Sequence, residues 1–493
     1  MMTHFPLRGF CSPRVRILWL VGLIISMLVA GCGGGGGGGS VATPNAGSSF
    51  APSQNLANLC ANPRTNTTER QGTVANEKAY LRSFIDETYL WYRDVPTNLV
   101  EANYLTAPAY FDVLKTNAIT ASGAPLDQFH WSQTTASWQA QQAGQASDYG
   151  IDWAALASRP PRNWLVTVVA PNSPAALAGV KRGDKLTSID GVDFVNDNTQ
   201  ANVDILNAAL FPTNSAAHSF GFNNAPALAM SPALYQVITV QNVKTIPTAN
   251  GTVGYFTFDS QIAQSEQELI DAVNQLKAAQ INDLVIDLRY NGGGLLYIAS
   301  ELAYMIAGPN ATGGKFFEQL QFNDKQSAYN VSYPFAFHGN TPAAALPHLD
   351  LHHVTLLVTH STASASESVI NSLRGIDISV DLMGTNTRGK PYGFYPQDNC
   401  GYTYFAIQFK GVNNKGFGDY ADGFAPTCVV ADDYSHARGD SAEGLLRTAL
   451  SYRLTGVCPV NPSAQVLQAS SPGGIGVTPP TRSELRLLNK PPR

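Results

Sequence analysis

Apolar and polar positions alternate with different periods in successive stretches of this 493-residue chain. Between residues 76 and 145, Ala79, Leu81, Phe84, Ile85 and Leu90 recur at roughly helical spacing and lead into Trp91 and Tyr92. That pattern predicts a small, mainly helical region. Residues 146–246 carry short strand-like runs separated by turn residues. From 247 to 459, strand and helix patterns alternate, as expected of a mixed α/β domain. Gly254–Phe258, Leu284–Leu288, Val354–Val358 and the stretch from Ile378 to Met383 predict strands, and Ala263–Ala279 predicts a helix.

The N-terminus has another pattern. An apolar run from Ile17 to Ala30 follows Arg8, Arg14 and Arg16. It is short for a spanning helix and suits the apolar core of an export signal over 1–31. It ends in Leu28-Val29-Ala30-Gly31-Cys32, which resembles the bacterial lipobox. The resemblance implies lipidation at Cys32. Gly33 stands where an inner-membrane retention signal has Asp, so the expected location is the outer membrane, facing the periplasm. Gly33–Gly39 and the Ser/Pro/Asn/Ala-rich residues after them predict a tether over 32–75. The Pro-, Ser- and Gly-rich stretch 460–493 predicts a disordered tail.

Charge and cysteine content narrow the function classes. Only 14% of residues are charged, and the net charge is −5. Losing the three arginines of residues 1–31 makes the remainder more acidic, and no basic tract is left for nucleic acid. Cys60, Cys400, Cys428 and Cys458 remain after the signal and the lipidation site, an even number in an oxidising compartment. Three pairings are open; Cys400–Cys428 and Cys60–Cys458 are the expected ones. No CxxC spacing points to a metal, and no cofactor is expected.

Ser173-Pro174-Ala175-Ala176-Leu177-Ala178-Gly179-Val180 precedes Lys181-Arg182-Gly183-Asp184-Lys185-Leu186 and Ile189-Asp190-Gly191. Pro174 suits a helix start, Gly179 a helix exit and Asp190-Gly191 a tight reversal. The series resembles the PDZ signature, which implies a β-rich PDZ domain over 146–246. By the same resemblance, Tyr149, Gly150 and Ile151 form the loop that holds a peptide carboxylate, and an extended peptide adds as a strand to the sheet edge.

Three further segments carry candidate chemistry. Asp287-Leu288-Arg289-Tyr290-Asn291-Gly292-Gly293-Gly294 follows a buried strand, and its glycines let the backbone aim N–H groups at a ligand. It lacks the Gly-Lys-Ser/Thr ending of a phosphate-binding P-loop. Ser361-Thr362-Ala363-Ser364-Ala365-Ser366-Glu367 follows the Val354–Val358 strand and precedes a helix. Ser364-x-x-Glu367 is also a capping box, so those residues alone leave a structural role open. Gly384-Thr385-Asn386-Thr387-Arg388-Gly389-Lys390 completes the set.

Together these segments resemble the carboxyl-terminal processing, or tail-specific, serine proteases. The resemblance implies an α/β (mixed) peptidase core with Ser364 as nucleophile, Lys390 as general base, and Gly293 and Ala365 as oxyanion donors. A lysine takes the serine proton only when neutral, a form that burial favours. Substrates would be unfolded or C-terminal polypeptide segments, with an adaptor protein or a second copy as further partners. Two positions depart from the family: Phe394 replaces a Gln that orients the lysine, and Gly375, with Asp377 nearby, replaces an Asp. The competing expectations are a Ser-His-Asp triad using His360, a catalytically lapsed peptide-binding adaptor, and a polysaccharide-binding lipoprotein.

Overall fold

The computed structural model describes residues 50–212, 214–340, 344–460 and 476–477, and the backbone of 485–487. The export signal, Cys32 and the glycine run lie outside the described residues. Among the described residues, no helix is long and apolar enough to cross a membrane.

Helix α1 (Val74–Thr88) starts where the Thr73 hydroxyl accepts the Asn76 N–H, and buries Tyr80, Leu81, Phe84 and Ile85. These residues pack into the cluster that also holds Phe256, Ile286 and Leu356 of the main sheet. The helical region therefore shares the α/β core instead of forming its own. Order also begins earlier than the tether composition suggests, with a helical turn at Ser53–Leu56 and paired strands Leu59–Cys60 and Arg70–Gln71. Glu87 and Glu77 of α1 hold this stretch by accepting the Ser53 and Ala61 N–H groups at 2.7 and 2.8 Å.

Cys60 is bonded to Cys400, and Cys428 to Cys458. Both expected pairings, Cys400–Cys428 and Cys60–Cys458, are thus corrected. Cys400 sits in the turn between strands Gln397–Asn399 and Tyr402–Phe405, in a small sheet completed by Trp131–Thr134. Cys428 lies on the edge of the six-stranded sheet. Their closeness in sequence hid the fact that they belong to different sheets.

The PDZ-like unit begins with a hairpin of β1 (Ile151–Ala157) and β2 (Asn163–Val169). Helix α2 (Pro174–Ala178) follows, with Pro in its first turn and Gly179 (φ 84°) closing it in the left-handed conformation that glycine adopts without steric cost. Strand β3 (Leu186–Ile189), a reversal at Asp190-Gly191, helix α3 (Gln200–Leu210) and strand β4 (His218–Phe222) complete the unit. Trp164, Val166, Leu186, Phe194, Leu206 and Phe220 form its core, separate from the main one.

The elements that follow include β5 (Val240–Thr248), β6 (Gly251–Phe258), α4 (Ser265–Ala278), β7 (Asp283–Asp287), β8 (Gly293–Leu295), α5 (Leu296–Thr312), β9 (His353–Val358), α6 (Ala365–Gly375), β10 (Ser379–Gly384), β11 (Tyr392–Gly393), β12 (Cys428–Val429), α7 (Gly444–Thr455) and β13 (Leu485–Leu487). Six of the strands form one sheet in the order β5-β6-β7-β9-β10-β12. Only β5 and β6 run antiparallel; each later pair is parallel. Parallel strands need both faces covered, and the residues of β7 are accordingly all buried. The stretch 460–493 does not lack structure throughout: Val477 is buried and β13 pairs with β8.

Candidate active site

Topology brings the three predicted segments together. Strands β7, β9 and β10 are parallel neighbours, and the segments containing Gly293, Ser364 and Lys390 leave their C-terminal ends in that order. Loops at the carboxyl ends of parallel strands open onto one edge of the sheet, where α/β folds hold ligands.

Ser364 lies on the sharp connection from β9 to α6. Its φ of 61° and ψ of −117° fall outside the regions open to most side chains. This is not the extended conformation of an ordinary helix cap. Ser364 is fully buried, and its Oγ makes no hydrogen bond. The Glu367 half of the capping box is present, with the carboxylate accepting the Ser364 N–H at 2.8 Å. The N–H of Ala365 is one of the four that the start of a helix leaves without an acceptor in its own helix.

Lys390 is likewise fully buried. Its Nζ lies 4.5 Å from the ring centre of Phe394 and 4.7 Å from that of Phe129. Phe394 thus covers the amine where many members of the resembling family present a polar side chain. Phe129 comes from the N-terminal region, and no motif in the sequence marks it.

Glu367 joins the two loops. One carboxylate oxygen accepts the N–H groups of both Ser364 and Lys390 at 2.8 Å. The other accepts the Thr387 hydroxyl at 2.6 Å and the Gly389 N–H at 2.7 Å. Burial pushes its pKa up to about 7, and these hydrogen bonds hold it back from going higher. Sequence reasoning had the residue as a helix cap; its reach to residues 387–390 leaves no trace in local spacing.

The glycine segment is stitched to the serine loop: the Asn291 carbonyl accepts the Ala363 N–H and the Ser366 hydroxyl, each at 3.1 Å. Gly294 has φ 145°, and a Cβ there would lie 2.1 Å from the Gln261 carbonyl oxygen, so only glycine fits. The Gly293 N–H donates to Asn291 Oδ1 at 2.9 Å. In this state only one of the two expected oxyanion donors, Ala365, is left by its backbone position for an incoming oxygen.

The other expected residues lie elsewhere. His360 is exposed, with Nε2 2.6 Å from Arg388 Nη1, while Ser364 is enclosed. Asp377 is exposed and paired with Lys415. In the PDZ-like unit, Tyr149 is buried, Gly150 donates its N–H to Asp148 at 2.6 Å, and Ile151 begins β1.

A buried ionic cluster joins the PDZ-like unit to the site. Arg182 donates to Asp432 at 2.6 Å and to the Tyr290 hydroxyl at 2.7 Å. Arg289 bridges Asp432, Asp287 and Glu443. Removing one member of such a cluster leaves an unpaired charge out of water, at a cost of about 3–5 kcal/mol. Tyr290 directly precedes Asn291, so the contact ends at the glycine segment.

Residues 252–394 match the model of peptidase family S41, and residues 165–209 match that of the PDZ domain. A carboxyl-terminal-processing protease of Picosynechococcus sp. is 27% identical over 46% of this chain and 50% of its own length. A chloroplastic C-terminal processing peptidase of Tetradesmus obliquus is 22% identical over 64% of this chain and 66% of its own. The chain thus spans half to about two thirds of the length of these relatives. The crystal structure of an S41 protease from Bacteroides fragilis shares the fold, at TM-score 0.62 and 23% identity, over 77% of this chain and 98% of that one. By these matches, residues 252–394 form a region of the S41 peptidase family and residues 165–209 a PDZ domain.

Proposed function

We propose that the chain is a serine endopeptidase with a Ser364–Lys390 dyad, acting on unfolded or C-terminal segments of exported proteins that its PDZ domain engages. The observation that carries this reading is the meeting of a strained, buried serine and a buried lysine on one Glu367 oxygen. Lys390 is fully buried, and Phe129 and Phe394 shield its amine from water.

The neutral Lys390 amine accepts the Ser364 proton as Oγ bonds to the scissile carbonyl carbon. Negative charge then develops on the carbonyl oxygen near the Ala365 N–H, where the start of α6 favours it. Gly293 adds a second donor once Asn291 Oδ1 turns aside. The resulting ammonium protonates the departing amine, leaving an acyl-enzyme. Water, activated by the same lysine, releases the acid and regenerates the serine.

Two disulfides fit an oxidising compartment, and lipidation at Cys32 would hold the enzyme at the outer membrane, facing the periplasm. A fluorophosphonate probe tests the nucleophile. Wild type is expected to be labelled and Ser364→Ala is not. Equal labelling would remove Ser364 from the mechanism and leave a peptide-binding adaptor as the better reading.

A further inference from the structure

Strand β8 leads straight out of the glycine segment, and both of its edges are occupied. On one side, Gln261 donates its N–H to the Gly293 carbonyl at 3.1 Å and accepts the Leu295 N–H at 2.7 Å. On the other lies β13, from the far end of the same chain. It runs parallel to β8, with Gly293 opposite Leu485, Gly294 opposite Arg486 and Leu295 opposite Leu487. It also lies against α6, which starts at the nucleophile, and against β11, which follows Lys390. The backbone of residues 485–487 is therefore threaded between the three segments that form the catalytic centre.

The same stretch of chain touches the PDZ domain. Val477 is 1% exposed and packs into the PDZ core. Its N–H donates to the Ser158 carbonyl at 3.0 Å, just past the end of β1. Among the described residues, β1 pairs only with β2, so its other edge is of the kind to which an extended peptide adds. A polypeptide held in a cleft by strand pairing gains affinity through main-chain hydrogen bonds whatever its side chains.

We infer that Val477, seated on the PDZ domain, and the backbone of Leu485–Leu487, paired with the oxyanion strand, act as an intramolecular ligand that keeps the cleft self-occupied until another polypeptide displaces it. The full burial of Ser364 agrees with a cleft already closed by chain. The catalytic consequence rests on the Ser364–Lys390 reading; the occupancy does not. A ligand joined by a short connection acts at an effective concentration on the order of millimolar. A free peptide that binds the same edge at tens of micromolar is then weakened by roughly ten- to a hundredfold.

The test uses the full chain in a Ser364→Ala background, so that no hydrolysis intervenes. Three forms are compared: the unaltered tail, Val477→Asp, and Arg486→Pro with Leu487→Pro. Successive strand residues point their N–H groups to opposite sides, so two consecutive prolines remove whichever donor faces β8. A fluorescent peptide of residues 476–493 is titrated against each and followed by anisotropy. Both altered tails are expected to bind it at least tenfold more tightly than the unaltered form. Should Val477→Asp disturb the PDZ core, the double-proline form carries the comparison alone. Equal affinity in all forms, or no binding by any, would overturn the inference. In the Ser364-containing protein, the double proline should raise kcat/KM for casein about tenfold. Tighter peptide binding with no hydrolysis by any form would uphold the occupancy and count against the Ser364–Lys390 reading instead.

Discussion

Lys390→Met is expected to lower kcat/KM by roughly 10²–10⁴-fold, the usual worth of a positioned general base. Methionine keeps the length of the side chain and its contact with Phe129 and Phe394, so the fold should survive and near-ultraviolet circular dichroism should be unchanged. Lys390→Arg should not rescue activity, because a guanidinium in a protein does not give up its proton. The check is steady-state hydrolysis of a quenched peptide by the three proteins. A loss below tenfold in the methionine variant, or substantial activity in the arginine variant, would assign proton transfer to another group.

Glu367→Gln is expected to cost about 10²-fold in kcat/KM, the scale set by small misplacements of reacting groups. The carboxylate faces only donors: three backbone N–H groups and the Thr387 hydroxyl. An amide would turn its NH₂ toward two of them. Acidification should act in the same direction. With a folded pKa of about 7, raised by burial, the carboxyl takes up a proton as the pH falls through neutrality. That proton is accommodated only if the Thr387 hydroxyl reverses and accepts it, after which the Gly389 N–H loses its partner. Amide hydrogen exchange at Gly389, corrected for its intrinsic rate, should therefore speed up below pH 7 in wild type. In Glu367→Gln it should be fast at every pH. Slow, pH-independent exchange in both proteins would mean that Glu367 does not hold the loop.

How much of this was legible in the sequence depends on the range over which each feature is encoded. Helix α6, strands β6, β7 and β9 and the turn at Asp190-Gly191 follow from local periodicity and from residues that tolerate positive φ. The three loops were legible through their resemblance to a known family, whereas the parallel adjacency of the strands that bring them together is visible only in the structure. Long-range partners could not be read either. Phe129 reaches the lysine because α1 and its neighbours share the main core, which no spacing reveals. The disulfides were mispaired because proximity along the chain stood in for proximity in space. The Arg182–Asp432–Arg289 cluster joins residues from two domains, and each arginine alone resembles any charged surface residue. The tail had a composition that argued against order, yet main-chain pairing of the kind β13 makes depends little on side chains.

The backbone at Ser364 has a consequence for how this chain can evolve. A non-glycine residue held in so sparsely populated a conformation costs about 1–3 kcal/mol. Glycine would relieve most of that, less the extra disorder it gives the unfolded chain, about 0.5–1 kcal/mol. Ser364→Gly should therefore shift the urea midpoint upward while abolishing turnover. A library sorted purely for thermal resilience would be enriched in chains that had discarded their chemistry at this one position.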